Sequence, residues 1–155
     1  MKKLATLMLL ILGAAAYSGA QDVKSTVASK NFTIVIDQIC PVGGPMISST
    51  DGYTLKVEDS VVDASLPYFG ESHVAIYGGA GETGIRFDKV KTEIKPVVEK
   101  RRRKKDAGLT TWQFTAKSGD EDVDVTVRIW NGGRAEISCI PQNRTAITYL
   151  GEVIF

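Results

Sequence analysis

Apolar and polar residues alternate with a period of two through most of this 155-residue chain, the spacing of strands that bury one face. From Asn31 to about Cys40, Phe32, Ile34 and Ile36 share a face, Thr33 and Asp37 lie opposite, and Cys40 falls in phase with the apolar stripe. The Pro41-Val42-Gly43-Gly44-Pro45 segment ends that strand, because proline removes a ladder donor and glycine breaks regularity. Tyr53, Leu55 and Val57 then alternate with Thr54, Lys56 and Glu58, and beyond Asp59-Ser60 the apolar set is Val62, Ala64 and Leu66. A two-residue loop pairs Val57 with Val62 and Leu55 with Ala64, so both apolar faces coincide and the pattern itself selects a tight hairpin.

Leu66 leads into Pro67-Tyr68-Phe69-Gly70, where a proline with one fixed backbone angle and a permissive glycine bracket two aromatics. The expected result is a rigid corner that turns both rings toward a core. Truncating a buried ring such as Phe69 would then cost about 3–5 kcal/mol. Val74 and Ile76 mark a short strand; Ile85 and Phe87 mark another, and the change of parity at Val90 predicts a bulge or a break. Strand-like sequence continues from Ile94 to Val98. Trp112, Phe114 and Ala116 face inward, Lys117 to Asp122 read as a polar loop, and Val123, Val125, Val127 and Ile129 line one face. Beyond Asn131-Gly132-Gly133 the inward set is Ala135, Ile137 and Cys139. A three-residue loop with Gly133 left-handed pairs Ile129 with Ala135 and Val127 with Ile137, and sets Arg128 opposite Glu136. Ile147, Tyr149, Gly151 and Val153 supply a last strand. The expectation is all-β: a single antiparallel sandwich or a small barrel, between which the pattern does not select.

The first residues do not belong to that pattern. Lys2 and Lys3 precede an unbroken apolar run from Leu4 to Leu12, and Ser18-Gly19-Ala20 offers small residues where a signal peptidase cuts. Residues 1–20 therefore read as a cleavable secretory signal, too short for a membrane anchor, 21–30 as a flexible lead-in and 31–155 as the β domain. The product is expected to be soluble and periplasmic or secreted after cleavage near Ala20, since no later apolar stretch is long enough to span a bilayer. Removing Lys2 and Lys3 with the leader leaves 17 basic residues against 18 acidic, a net charge of −1, which disfavours nucleic acid as a partner.

Export also bears on the two cysteines, each in phase with its strand's apolar face. Two readings stand: a Cys40–Cys139 disulfide closing about 99 residues, worth up to roughly 4–5 kcal/mol in the chain-entropy model, or two buried free thiols acting as small hydrophobes.

Several short stretches recur together in one family. Lys30-Asn31-Phe32 opens the domain, followed by Tyr53-x-Leu55-x-Val57, Leu66-Pro67-Tyr68-Phe69-Gly70, Gly84-Ile85-Arg86-Phe87, Gly133-Arg134-Ala135 and Ile147-Thr148-Tyr149-x-Gly151. Over most of the mature chain the sequence resembles a family of Bacteroidetes exported proteins catalogued as domain of unknown function 4251. The resemblance implies a shared location and a uniform fold, and brings no reaction that could be assigned to a residue.

Candidate chemistry is sparse. The single histidine, His73, has no His/Cys/Asp/Glu spacing around it that would serve a metal or a proton relay. The Gly78-Gly79-Ala80-Gly81-Glu82-Thr83-Gly84 segment has neither the lysine of a phosphate loop nor a helix after it, and reads as a flexible hairpin loop. Lys100, Arg101, Arg102, Arg103, Lys104 and Lys105 form the strongest charge run. It is an anion-binding finger on one reading, and on the other a solvated tip balanced by Glu99, Asp106 and Asp120-Glu121-Asp122. Asp59-Ser60-Val61 resembles a short Bacteroidetes O-glycosylation motif and makes Ser60 a candidate acceptor. Tyr68, Phe69, Trp112 and Phe114 are the candidate contacts for a ligand or partner. No cofactor and no metal site are expected. The leading expectation is a non-catalytic envelope module that binds an envelope partner or small ligand, or has a structural role. Carriage of a small apolar molecule inside a barrel is the alternative, and a hydrolytic enzyme ranks last.

Overall fold

The computed structural model describes residues 25–70, 84–98 and 108–154. Among them run ten strands: β1 (Asn31–Pro41), β2 (Ile47–Ser48), β3 (Thr54–Glu58), β4 (Val61–Leu66), β5 (Ile85–Lys91), β6 (Lys95–Pro96), β7 (Thr110–Ser118), β8 (Glu121–Ile129), β9 (Arg134–Pro141) and β10 (Ile147–Ile154). They make one antiparallel sheet in the order β5-β4-β3-β1-β10-β9-β8-β7-β6, with β2 beside β1. The sheet curls into a half-barrel, so the all-β fold takes the one-sheet form. Its two ends approach each other. The Phe87 and Phe114 rings meet edge to face with centroids 6.3 Å apart, the Arg86 amide donates to Ser118 Oγ at 2.9 Å, and Thr92 Oγ1 donates to the Thr115 carbonyl at 2.7 Å. Side chains thus join β5 and β7, where no ladder is formed among the described residues.

Local alternation accounts for most of the register. The Asp59-Ser60 turn pairs Val57 with Val62 and Leu55 with Ala64, and the turn before β9 pairs Ile129 with Ala135 and Val127 with Ile137. Asp59 and Gly133 take the positive φ that these tight connections require, 56° and 88°. The parity change after Phe87 is a bulge, with Val62 facing Val90 and Ala64 facing Phe87. The inward sets of all the long strands are buried in one core, with Tyr149, Phe87 and the isoleucines Ile34, Ile36, Ile39, Ile85 and Ile137 among its largest members.

Four expectations are corrected. The polar loop expected from Lys117 to Asp122 is a two-residue turn at Gly119-Asp120, because Ser118 and Glu121 still pair in the ladder. Of the stretch from Ile94 to Val98 only Lys95–Pro96 pairs with β7. The lead-in carries a helical turn over 25–28 that buries Val27 to 2% exposure. Lastly, β1 does not keep its parity. Its register against β10 shifts between Ile36 and Gln38, so the buried residue beyond Ile36 is Ile39, and Cys40 turns to the outer face. The leader, Val74 and Ile76 lie outside the described residues.

That bulge is held by three neighbours. Arg134 donates to both Asp37 carboxylate oxygens, at 2.5 and 3.4 Å, and also reaches Glu152 at 3.5 Å. The hydrogen bond to Asp37 raises the Arg134 pKa. The Asp37 carbonyl accepts from the Ser49 amide at 2.9 Å. On β10, opposite Ile36, stands Gly151; a Cβ there would fall on the Val35 carbonyl, so the bent strand needs glycine at that position.

Candidate functional site

Polar side chains converge where the Pro67–Gly70 corner meets the segment between β9 and β10. Tyr68 lies half-buried against the core, and its hydroxyl donates to the Thr145 carbonyl at 2.8 Å and stands 3.0 Å from Thr145 Oγ1. The Arg144 guanidinium sits over the Tyr68 ring, 4.3 Å from its centroid, close enough for a cation–π contact. Arg144 Nε donates to Glu121 Oε1 at 2.6 Å, and its Nη2 pairs with the same oxygen. Glu121 also accepts from the Asn143 amide at 3.3 Å. Both side chains of this pair are only 11% exposed. From inside the core, the Tyr149 hydroxyl donates to the Pro67 carbonyl at 2.6 Å. Gly70 closes the corner, and a Cβ there would collide with the Tyr68 hydroxyl and Thr145 Oγ1.

The cluster has the composition of a reactive site: an arginine, a carboxylate, two phenols and, behind them, Cys139. Its chemistry points elsewhere. Burial pushes the Cys139 thiol up to about 12, only partly opposed by the Arg144 charge, which leaves a protonated, inert sulfur at neutral pH. Burial also raises the Tyr149 phenol, so it stays a hydrogen-bond donor. Arg144 and Glu121 spend their charges on each other. The arrangement latches the corner onto the strand ends.

The sequence-derived candidates are dispersed over the fold. Tyr68 belongs to the latch. Phe69, expected in the core, is 53% exposed: Pro67 and Gly70 do shape a corner, but it turns one ring in and the next one out. Trp112 and Phe114 are buried in the core on β7. Trp112 lies six residues back from the Ser118–Glu121 end that the latch abuts, roughly 20 Å along a strand, so the four aromatics do not form one surface. Ser60 sits on the hairpin turn, its carbonyl accepting from the Thr92 amide at 2.8 Å. Lys100 to Lys105 and His73 lie outside the described residues.

Of the two readings of the cysteines, the structure has the free thiols, Cys139 buried and Cys40 partly exposed. Cys40 pairs in register with Thr148, and Cys139 with Ile147, so β10 separates their strands. Two ladder spacings are roughly 9.5 Å, beyond the 4.4–6.8 Å that a disulfide spans, and the bulge puts the two side chains on opposite faces. The Cys40 thiol is pushed up first by burial and then by the Glu136 charge.

Sequence reasoning missed Arg144 and Glu121. They are 23 positions apart, and the pairing of β8 with β9, which sets Val123 opposite Pro141, brings the start of β8 beside the segment that follows β9. Among the described residues no group of three or more His, Cys, Asp or Glu side chains is placed to hold a metal ion. An open groove of about 490 Å³ lies at another part of the surface, lined by Thr26, Asn31, Lys56, Glu58 and Ile154 among others.

A search of curated proteins finds no match to the chain. Among solved structures it resembles the crystal structure of a DUF4251 family protein from Bacteroides eggerthii DSM 20697, with a TM-score of 0.61 and 16% sequence identity over 88% of this chain and 87% of that one. A likeness at that identity speaks to the fold. The sequence itself matches the model of a family described as Domain of unknown function (DUF4251) over residues 16–153, nearly its whole length, and the chain belongs to that family.

Proposed function

We propose that this protein is an exported, non-catalytic module of the cell envelope that binds a partner or small ligand, or has a structural role there. The observation that carries the reading is the state of its convergent polar groups. Glu121, Arg144, Tyr68, Thr145 and Tyr149 satisfy one another and the corner's backbone, and so serve the fold. The reading draws its export route from the basic, apolar and small-residue order of the first twenty positions. It is also in keeping with the absence, among the described residues, of any helix long and apolar enough to cross a membrane. Native mass spectrometry of the protein isolated from the envelope fraction of its own cell tests it. A chain beginning at Gln21 and carrying a non-covalent partner or ligand supports binding in the envelope. An uncleaved chain recovered from the cytoplasm overturns the reading.

A further inference from the structure

Trp112 is 93% buried, and its indole Nε1 is a donor with no acceptor among the described residues. A buried N–H without a partner costs a folded protein the full desolvation of that group, and native structures rarely leave one so. A cation stands beside it. Lys30 Nζ lies over the Trp112 ring at 5.4 Å from the centroid, tethered to the Ile94 carbonyl at 3.2 Å. Lys30 follows the helical turn over 25–28 and is held with φ 57°, its amide donating to Val27 and its carbonyl accepting from Asp59. Lys30 is only partly buried, whereas Trp112 belongs to the buried apolar core that also holds Val27, Ile94 and Phe114.

We propose that Lys30 and Trp112 bind a small monocarboxylate, one oxygen accepting from Trp112 Nε1 and the charge facing Lys30 Nζ. One ammonium and one neutral donor in an apolar setting match a single negative charge. They leave the second charge of a phosphate unmet. An apolar chain on the carboxylate suits the buried apolar core to which Trp112 belongs. The inference rests on the reading of the protein as a binding module and gives that module a ligand class.

The chain holds two tryptophans, so Trp130→Phe leaves Trp112 as the only indole reporter. That protein is titrated with octanoate, acetate and inorganic phosphate while Trp112 emission is recorded. The proposal expects a saturable change with octanoate, at least tenfold weaker with phosphate and at least tenfold weaker after Lys30→Met. Trp112→Phe keeps a ring beneath Lys30 and removes only the N–H, and calorimetry on it should show the same loss with an unaltered circular dichroism spectrum. Absence of a saturable signal with both carboxylates overturns the proposal, as does equal binding by the Lys30→Met or Trp112→Phe protein. A bound partner seen in native mass spectrometry alongside a negative titration removes this site and leaves the binding module standing.

Discussion

Single residues decide where this chain follows its pattern and where it leaves it. Phe69 was expected in the core and is half exposed, whereas Phe87 is fully buried against Phe114. Phe69→Ala should therefore cost less than about 1 kcal/mol in urea denaturation, while Phe87→Ala should cost about 3–5 kcal/mol. Cys139 gives a second residue-scale expectation, in pH. Its thiol has a folded pKa of about 12 against an ordinary 9.0, so the folded state holds the proton that the unfolded state gives up. Its contribution is fully present below pH 9.0 and is lost as pH rises towards 12. Denaturation of the wild type and Cys139→Ala between pH 8 and 11 checks this: the mutant is less stable at pH 8 from its lost packing, and its alkaline decline is shallower.

Elements show why some of the fold was legible and some was not. The β3–β4 and β8–β9 hairpins could be registered residue by residue, because a short loop leaves one pairing in which both apolar faces agree. The bulge in β1 was written in the sequence as well, since Ile39 follows Ile36 by three positions where alternation demands two. Reading Cys40 as the next inward residue hid that signal and led to the wrong side of the sheet. What pins the bulge was not legible: Arg134, Asp37 and Gly151 come from three strands that meet only through the pairing of the first strand with the last. Gly151→Ala would press a methyl against the Val35 carbonyl. It should destabilise the protein by about 1–3 kcal/mol or more in chemical denaturation, as overpacking does. Arg134→Met, which removes an ion pair with both side chains more than 40% exposed, should cost no more than about 1 kcal/mol.

At the scale of the whole molecule, alternation yields strands and a fold class, and long-range contacts yield everything else. That β1 pairs with β10 and that β5 and β7 meet through Ser118 and Thr92 depend on residues distant in sequence with no common spacing, whereas Glu121 meets Arg144 at the open end of the β8–β9 hairpin. The candidate site was legible only as a Pro-Tyr-Phe-Gly corner; its partner surface was not. The account of the molecule rests on reading that surface as a latch. Groups held ready for a ligand or a reaction commonly cost stability, so replacing them leaves a protein as stable or more so. Groups that hold a fold behave in the opposite way. The most direct measurement is the unfolding free energy of Glu121→Gln, Arg144→Met and the double mutant. The latch predicts that each single change costs about 3–5 kcal/mol, because it strands a largely buried charge or leaves its partner unmatched, and that the double mutant loses much less than the two combined. Single mutants as stable as the wild type, with additive effects in the double, would contradict it.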